Sequence, residues 1–594
     1  MRSRQLFLTS LTAFVLAYLG YGLVRFSLGI DFTDEGAYLS WPMRMLFGEP
    51  AFSSDPLTLT RPIEAFLFIP FKLHPLMTLY EFRLLGWVVH LLAFATLAIC
   101  LFRLSRAPLQ SLLIASVPFF ACNIFGIASP SYNTLSSDFL LMALSLQCLA
   151  CLGEERQKLP LHVASGLALF IATLAHPGLG IVGAGLLAYE VLCHGLARNL
   201  AKRQLSASNL GILAFIFCWL AFLLYLTSSG ALANWLQRIA FVRLSSVGAL
   251  NELPARSFFQ LAVFPFGYDL YAIGFNLLAF VALWFLQPPR ATAGGQHAGR
   301  AAAWLAVLIA GFFILTFSRD PSHLPVCLVP STLVLLAAQG VGRPLSPLRA
   351  EDRLRFLLLM SGLAAVAYAA LTYFFFPLRS WISGTLGLPF AFAVGLTCLL
   401  KESPVRPASL RGLMLTLLAM AVACFARDHY REIHRDASPS YLSAQFQLPK
   451  LRHIRSTPER VQIVEALYEY MHPKIARGEP LLVYDGCPML YYLFDASPAY
   501  GLTWAVGNGT SPSILQLLNR ELNAKPLPRY AIRALVKLKE PFWSKAPLTN
   551  YDDYPLNETV TTNYSLERTI FPFEIWRLKT AEVTVTASPP VGPP

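Results

Sequence analysis

Charged residues are scarce in this sequence. Only 14% of its 594 residues are Asp, Glu, Lys or Arg, whereas 55% are hydrophobic. A soluble domain carries about 25% charged residues, so a soluble protein of this length could not cover its surface with so few. The same composition excludes a disordered chain, a collagen and a small disulfide scaffold. An integral membrane protein with many spans is the class that is left.

The sequence also lacks an internal repeat of fixed period and a clear small-residue cleavage site after its first apolar stretch. Residues 1–28 are therefore expected to form a retained first span and not a removed secretory signal. Most of the ten cysteines fall within apolar stretches, and only Cys487 falls in the more polar C-terminal part. We therefore expect no framework of disulfides or metal ions built on cysteine.

Thirteen apolar stretches are each roughly long enough to cross about 30 Å of hydrocarbon. His176-Pro177-Gly178 interrupts residues 160–196, which we interpret as two spans joined by a tight turn. The predicted spans lie near residues 6–28, 82–102, 109–128, 134–152, 160–175, 177–196, 209–228, 262–286, 301–318, 323–341, 354–376, 381–400 and 409–426.

The formal net charge of +13 is unevenly distributed. Residues 427–594 hold 19 basic and 17 acidic residues, a net of +2, which leaves +11 on residues 1–426. Such an excess can indicate nucleic-acid binding, but in a multispan protein its default cause is loop topology. With the N-terminus in the cytoplasm, the inner loops hold 18 of the 28 basic residues before residue 427. Thirteen spans then place the C-terminal domain on the extracytoplasmic side, and no nucleic-acid partner is expected.

The expected fold class is a polytopic α-helical membrane protein with an extracytoplasmic α/β domain. Residues 1–426 would form the transmembrane module, with long outer loops at 29–81 and 229–261. Residues 427–594 would form the α/β domain, whose Pro-rich tail is expected to be disordered. Within this domain we predict helices at 458–475 and 511–522 and strands at 481–484, 530–536 and 569–578. In the first outer loop, residues 38–47 and 63–73 are predicted as amphipathic helices at the membrane interface.

Three carboxylates, Asp31, Asp34 and Glu35, fall within five residues directly after the first span. Removing a carboxylate from water near a bilayer is costly, so ionisable groups in this position usually have a function. A second interpretation is a solvated loop start in which Asp34 caps a helix that begins around Gly36. The sequence alone leaves both interpretations open.

A basic residue and another carboxylate also lie towards the outer side. Arg61 carries bidentate donors that suit a phosphate, although it could equally bind anionic head groups. Asp138 is the only acidic residue in the fourth span and lies near its outer end. It could be a helix-start carboxylate favoured by the macrodipole, or a second carboxylate facing the site of Asp34. In the second case the two carboxylates could hold a divalent cation or orient a substrate hydroxyl.

The other outer turns supply further candidates for substrate or phosphate binding. His176 lies in the turn between the fifth and sixth spans, and Trp235 and Arg238 share one helix face in the second long loop. Arg319 and His323 form a last outer cluster. Each has a structural interpretation as well, as a turn histidine or as an interfacial anchor. The unusual polar residues thus gather on the outer side, which indicates chemistry at the outer membrane face.

This set of motifs resembles the GT-C superfamily of membrane glycosyltransferases, in particular protein O-mannosyltransferases and the aminoarabinose transferase of lipid A. The first loop of that family has an Asp-Glu pair, a Tyr three positions after the Glu, and a Gly after an amphipathic helix. Here these residues are Asp34, Glu35, Tyr38 and Gly48. The resemblance covers roughly residues 1–340 together with the general plan of an outer C-terminal domain.

Later motifs match this family less closely. The family has a basic residue before Pro, which here is Arg61-Pro62, with arginine where that branch commonly has lysine. Asp138 falls where many members carry a second acidic residue. His176 stands in a turn where members often have Lys-Gly, and His323 stands where an aromatic residue is usual. These two histidines put in doubt the roles that the family would assign to their positions.

The resemblance implies a transferase that moves a sugar from a polyprenyl-phosphate donor to an acceptor hydroxyl at the outer membrane face, with inversion. Asp34 would be the general base, and Glu35 could instead orient the loop. Arg61, with Arg238 or Arg319, would meet the negative charge of the leaving phosphate.

Several properties of such an enzyme stay open at this point. The acceptor could be a protein, a lipid or a glycan. No cofactor is required, although Asp34 and Asp138 could hold a divalent cation. By analogy with the family plan, the lipid bilayer is the inner membrane of a bacterium.

Two other classes of protein share parts of this pattern. A multispan transporter or lipid flippase predicts buried charges at mid-span and discontinuous helices. Few mid-span charges are present, and Glu190 is the exception. A non-enzymatic envelope scaffold that binds a partner through its outer domain needs no carboxylates in the first loop.

Overall fold

The structure is a computed structural model that describes residues 2–48, 62–121, 129–180, 182–187, 207–233, 235–236, 390, 393–397, 408–501, 521, 524–547 and 555–579. Its α-helices are α1 (Arg2–Arg25), α2 (Asp34–Leu46), α3 (Phe68–Leu73), α4 (Leu79–Ser105), α5 (Pro108–Ala121), α6 (Tyr132–Leu152), α7 (Glu155–Ala175), α8 (Ala207–Ser228), α9 (Ala408–Arg431), α10 (Pro458–Met471), α11 (Met489–Leu493) and α12 (Pro555–Asn563). Its strands are β1 (Ala444–Gln445), β2 (Arg455–Ser456), β3 (Pro480–Tyr484), β4 (Ser497–Pro498), β5 (Tyr530–Ala534), β6 (Tyr564–Ile570) and β7 (Phe573–Leu578).

Five of the described helices, α1, α4, α6, α7 and α8, are long and apolar enough to cross a membrane. They correspond to the spans predicted near 6–28, 82–102, 134–152, 160–175 and 209–228. Helix α7 ends at Ala175 and a 3₁₀ turn follows at Pro177–Leu179, so the predicted break at His176-Pro177-Gly178 is confirmed. Helices α5 and α9 coincide with two further predicted spans. Of the other six predicted spans, 177–196 and 381–400 are described in part and four lie outside the described residues, and the total of thirteen is not tested.

The chain forms two compact units. The first contains Met1–Ile30 and Pro50–Pro458, and the second contains Asp31–Glu49 and Glu459–Pro594. The boundary predicted after residue 426 therefore lies inside the first unit. The start of the first outer loop, which the sequence interpretation assigned to the transmembrane module, belongs to the second unit.

Helices of the first unit pack around an aromatic core. Helix α7 packs between α6 and α8, α4 packs against α6 and α5, and α1 lies along α4 and α5. The ring of Tyr18 is stacked on Phe119 with ring centroids 4.8 Å apart, and Trp87 donates from its indole nitrogen to the carbonyl of Tyr18 at 2.9 Å. The rings pack among many aliphatic side chains, and the indole N–H is satisfied by a backbone carbonyl.

Two glycines let α7 and α8 approach closely. A Cβ atom added at Gly166 would lie 2.2 Å from the carbonyl oxygen of Gly211, and one added at Gly211 would lie 2.6 Å from the carbonyl oxygen of His162. Membrane helices pack through small residues because lipid tails give apolar side chains no preference for protein over bilayer. The crossing therefore depends on glycine at both positions.

The end of the first span is held by the segment that follows α9. The backbone amide of Gly29 donates to the carbonyl of Arg455 at 2.7 Å. Asp436, which is 3% exposed, accepts hydrogen bonds from the amide of Ile30 at 2.9 Å and from the hydroxyl of Ser456 at 2.7 Å. The guanidinium of Arg83 donates to the carbonyl of Gly29 at 3.0 Å. These contacts fix the point at which the first outer loop leaves the first unit.

The second unit contains a five-stranded mixed sheet in the order β4-β3-β5-β7-β6. Strand β3 pairs in parallel with β4 and with β5, and β7 pairs antiparallel with β5 and β6. Strand β3 is buried from Leu481 to Tyr484, as its continuous apolar run predicts for a strand covered on its two faces. The predicted helix at 458 and the predicted strands at 481–484 and 530–536 are confirmed, with small shifts at their ends.

The strand predicted at 569–578 is wrong as a single element. The structure has a hairpin instead, in which β6 ends at Ile570, β7 begins at Phe573, and these two residues are paired across the turn. Pro572 lies in this turn and has no amide hydrogen for a strand ladder, which makes it a natural break in a β run. The predicted helix at 511–522 falls on residues of which nearly all are outside the described ranges.

A cluster of polar side chains joins α10 to β6. The carboxylate of Glu567 accepts a hydrogen bond from the hydroxyl of Tyr470 at 2.6 Å and forms an ion pair with Lys474. Burial raises the pKa of Glu567, but the hydrogen bonds from Lys474 and Tyr470 together outweigh it and hold the pKa below the usual 4.5.

We expect this cluster to make the second unit sensitive to acid. A carboxyl whose pKa is lower in the folded state stabilises the fold above its unfolded pKa, and this contribution is lost as the pH falls through the folded value. Glu567→Gln should therefore flatten the loss of thermal stability below about pH 4.5. Thermal unfolding of the full chain against pH is the measurement, with the exposed Glu469→Gln on α10 as control. Identical acid profiles for the two variants would contradict the expectation.

Candidate active site

The first outer loop enters α2 through a network centred on Asp31. Its carboxylate accepts hydrogen bonds from the amide of Thr33 at 2.9 Å, from the hydroxyl of Thr33 at 2.7 Å and from the amide of Glu35 at 3.0 Å. The first amides of a helix have no partner within the helix, and here Asp31 satisfies one of them. Because α2 already begins at Asp34, the interpretation of Asp34 as the cap of a helix starting near Gly36 is wrong.

The three loop carboxylates differ in exposure. Asp31 and Glu35 are each 2% exposed, whereas Asp34 is half-buried. Asp34 and Glu35 both lie in the first turn of α2. Asp34 is thus the most exposed of the three carboxylates. Tyr38, one helical turn later, is 6% exposed.

Asp138 lies in the first unit, in the first half of α6, and pairs with a histidine. It is 3% exposed, and its carboxylate lies 2.6 Å from Nδ1 of His90 on α4. Nε2 of His90 lies 2.8 Å from the carbonyl oxygen of Phe119. A carbonyl oxygen can only accept, so Nε2 of His90 carries a hydrogen and donates it to Phe119. His90 therefore links the buried carboxylate of Asp138 on α6 to the backbone of α5.

This pair should be strongly coupled in stability. His90→Leu leaves a buried carboxylate and Asp138→Leu leaves a buried imidazole, so each single variant is expected to cost about 3–5 kcal/mol. The double variant replaces the pair by apolar groups and should lose far less than the two single losses together. Unfolding of the four proteins in detergent gives the coupling energy. Simple additivity would mean that the 2.6 Å contact contributes nothing.

The other sequence candidates in the described part of the first unit lie on different segments. The half-buried His176 ends α7, and its ring lies 5.5 Å from that of Tyr132 at the start of α6. Asp138 is six residues further along α6, or about 9 Å along its axis. Trp235 is 9% exposed and packs edge-to-face with Phe222 on α8, with centroids 6.3 Å apart. His176 and Trp235 thus each contact an aromatic ring.

Four of the predicted site residues lie outside the described residues: Arg61, Arg238, Arg319 and His323. Their predicted roles in phosphate binding therefore stay predictions. One residue that the sequence reasoning missed is His90, a histidine within an otherwise apolar span. The signal that could have found it is the cost of an ionisable residue in that position, the same argument that drew attention to Asp138.

No family model and no curated protein matches this chain. Among solved structures, the chain is similar to ArnT from Cupriavidus metallidurans in the apo state, with a TM-score of 0.40 and 12% sequence identity. That match covers 95% of this chain and 98% of the other. It is also similar to ArnT from the same organism bound to undecaprenyl phosphate, with a TM-score of 0.38, 12% identity and the same coverage.

Proposed function

We propose that this chain is a glycosyltransferase that moves a sugar from a polyprenyl-phosphate donor to an acceptor hydroxyl at the outer face of a membrane. The observation that carries the proposal is the difference in burial and hydrogen bonding among the three loop carboxylates. Asp31 binds the amides at the start of α2 and Glu35 is buried, whereas Asp34 is half-buried in the first turn. This arrangement supports Asp34, in preference to Glu35, as a general base.

In the proposed reaction, Asp34 takes the proton of the acceptor hydroxyl. The hydroxyl oxygen forms a bond to the anomeric carbon of the sugar, while the bond from that carbon to the phosphate oxygen breaks. The polyprenyl phosphate leaves with the electron pair, and the proton stays on the Asp34 carboxyl. A single displacement of this kind inverts the anomeric configuration. General-base assistance requires the base to lie within hydrogen-bond reach of the hydroxyl, which a half-buried carboxylate at a helix start permits.

The leaving phosphate needs compensation of its growing negative charge. We propose that Arg61, with Arg238 or Arg319, provides it, because guanidinium groups bind phosphate oxygens in a bidentate manner. Tyr38, Asp138, His176, Trp235 and His323 complete the proposed set of residues that bind the donor or its sugar, and Glu35 is proposed to orient the loop.

We propose that the reaction requires no cofactor. Arginine cations can meet the charge of the phosphate without a metal ion, although a divalent cation held by Asp34 and Asp138 is the competing arrangement. Turnover in the presence of EDTA should equal turnover without it. A loss of activity that added Mg²⁺ or Mn²⁺ restores would favour the cation.

The test of the function is transfer in a bilayer. The full chain is reconstituted into bilayers and given sugars carried on undecaprenyl phosphate, the lipid held by one of the similar ArnT structures. Release of free undecaprenyl phosphate is followed for the wild type and for Asp34→Asn. A panel of pentoses and hexoses, with protein, lipid and glycan acceptors, identifies the substrates. Absence of release from every donor would contradict the proposal.

The proposed location is the inner membrane of a bacterium, with the N-terminus in the cytoplasm and the C-terminal domain outside. Charge bias of the loops supports this orientation. Impermeant labelling of a cysteine introduced at the exposed Ser544 of the C-terminal domain, on intact inner-membrane vesicles of known orientation, checks it.

A further inference from the structure

The helix that carries Asp34 packs within the C-terminal α/β unit. Along α2, Leu39 and Ser40 are fully buried and Arg44 is 1% exposed. The guanidinium of Arg44 donates a hydrogen bond to the backbone carbonyl of Tyr500. The amphipathic helix predicted at 38–47 is therefore present, but protein covers it on most sides.

Helix α2 packs closely against the start of α11. The amide of Met489 donates to the carbonyl of Phe32 at 3.1 Å. A Cβ atom added at Gly36 would lie 2.3 Å from the backbone nitrogen of Met489 and 2.7 Å from its Cα. These are backbone atoms, which cannot swing aside as a long side chain can. Glycine at position 36 is therefore what allows α2 to rest directly on α11.

Phe32, two residues before Asp34, packs against a different part of the same unit. The ring of Phe32 is 1% exposed and meets the rings of Trp543 and Phe573 with centroids 5.5 and 6.2 Å away. Phe573 is the first residue of β7, so this contact joins the entry of α2 to the sheet itself. Phe32 and Gly36 flank Asp34 on the chain, and both are fixed within the second unit.

Helix α11 is in turn anchored to the central strand. The hydroxyl of Tyr491 accepts from the amide of Val483 at 3.1 Å and lies 3.3 Å from the carbonyl of the same residue. Strand β3 is paired on its two sides, with β4 and with β5. A continuous series of contacts thus runs from the sheet through Tyr491 and Met489 to Gly36, two residues from Asp34.

We propose that the C-terminal domain positions the catalytic base, with Gly36 and Met489 as positioning residues. The proposal rests on the proposed function, because it concerns the carboxylate to which that function assigns the proton transfer. It gives the domain a part in the chemical step and not only in recognition of an acceptor. A displacement of a reacting group by about 1 Å can cost on the order of 100-fold in rate, so a small shift of α2 should be visible in turnover.

The experiment compares Gly36→Ala with Gly20→Ala in the full-length protein. Gly20 also lies inside a helix, but a Cβ atom added there meets no atom within 4 Å. Replacing helical Gly by Ala favours the helix in each case, so the variants differ in the clash alone. Gly36→Ala is expected to lower kcat by about 10- to 100-fold and to leave the KM for the lipid-linked donor within about threefold. Gly20→Ala should match the wild type.

Hydrogen exchange of the peptide covering residues 31–46 is a second measurement, and it does not depend on activity. It should quicken in Gly36→Ala, in which α2 can no longer rest directly on α11, and stay unchanged in Gly20→Ala. An unchanged kcat, or a rise in KM at constant kcat, would overturn the positioning role.

If Gly36→Ala does not fold, Tyr491→Phe is the variant that tests the proposal, because it keeps the ring and removes only the hydroxyl that binds Val483. A fall in its kcat supports the proposal and an unchanged kcat overturns it.

The outcomes separate this proposal from the proposed function. Asp34→Asn without activity together with a fully active Gly36→Ala would remove the positioning role and keep the base. Full activity of Asp34→Asn would remove the base, and the positioning role with it.

Discussion

Replacing Asp34 by Asn should lower the rate of sugar transfer by about 10²- to 10⁴-fold, the usual contribution of a general base. Asn keeps the size of the side chain and its place in the first turn of α2, but it cannot take a proton. The loss should appear in kcat, because the proton moves in the transition state and the donor is bound by other groups. Release of polyprenyl phosphate under single-turnover conditions measures the chemical step directly.

Glu35→Gln is the matched comparison for this variant. Glu35 lies in the same helical turn but is 2% exposed, so an acceptor has little access to it. We expect a loss of about tenfold or less, caused by altered orientation of the loop and not by loss of the base. A larger loss for Glu35→Gln than for Asp34→Asn would reverse the assignment of the base. Equal hydrogen exchange along α2 in the two variants would show that neither substitution disturbs the helix more than the other.

Replacing Arg533 by Met should strongly destabilise the C-terminal unit. Nε of Arg533 lies 3.1 Å from the carboxylate of Asp485, whose side chain is 1% exposed, and Nη1 donates to Asn557 at 3.0 Å. Removing the cation leaves a buried carboxylate without its counter-charge, which costs about 3–5 kcal/mol. The loss in free energy of unfolding is measured by denaturant unfolding, with hydrogen exchange of the peptides that contain β5 and β7 as the probe.

Two further variants serve as a control and as a rescue in this experiment. Arg529→Met removes an exposed cation one residue before β5 and should change stability by less than about 0.5 kcal/mol. Asp485→Asn added to Arg533→Met removes the stranded charge and should recover part of the loss. Asn is the suitable replacement because residue 485 has φ = +65°, a conformation that Asn tolerates better than most residues. No recovery in the double variant would show that the charge is not the cause.

The secondary structure that the sequence predicted well depends on local patterns. A helix start at Pro458 and the apolar run of β3 are signals contained within a few residues. The same approach failed at 569–578, because β propensity on the two sides of Pro572 is continuous and the reversal is a single turn. The helices at Leu79–Ser105 and Tyr132–Leu152 were predictable for another reason, since the thickness of a bilayer imposes their length and composition.

The candidate site was predictable as a set of residue types but not as a set of partnerships. Sequence order places Asp31, Asp34 and Glu35 together, yet it does not say which carboxylate binds the amides of α2. Burial and hydrogen bonds answer that question, and both depend on packing with distant segments. His90 illustrates the same limit, because its partner Asp138 lies 48 residues away on another helix.

The second unit is assembled from two widely separated pieces of chain. Gly36 and Met489, which touch in the folded protein, are separated by about 450 residues in the order of synthesis. At roughly 5–20 residues per second, the ribosome makes α11 about 20–90 s after α2. During that interval the loop carrying Asp34 lacks its packing partner on α11. The nascent protein can therefore insert most of its spans before the carboxylate proposed as the base is in place. Activity should therefore arise at the last stage of biogenesis, and a chain that stops before β3 should be inserted in the membrane but inert.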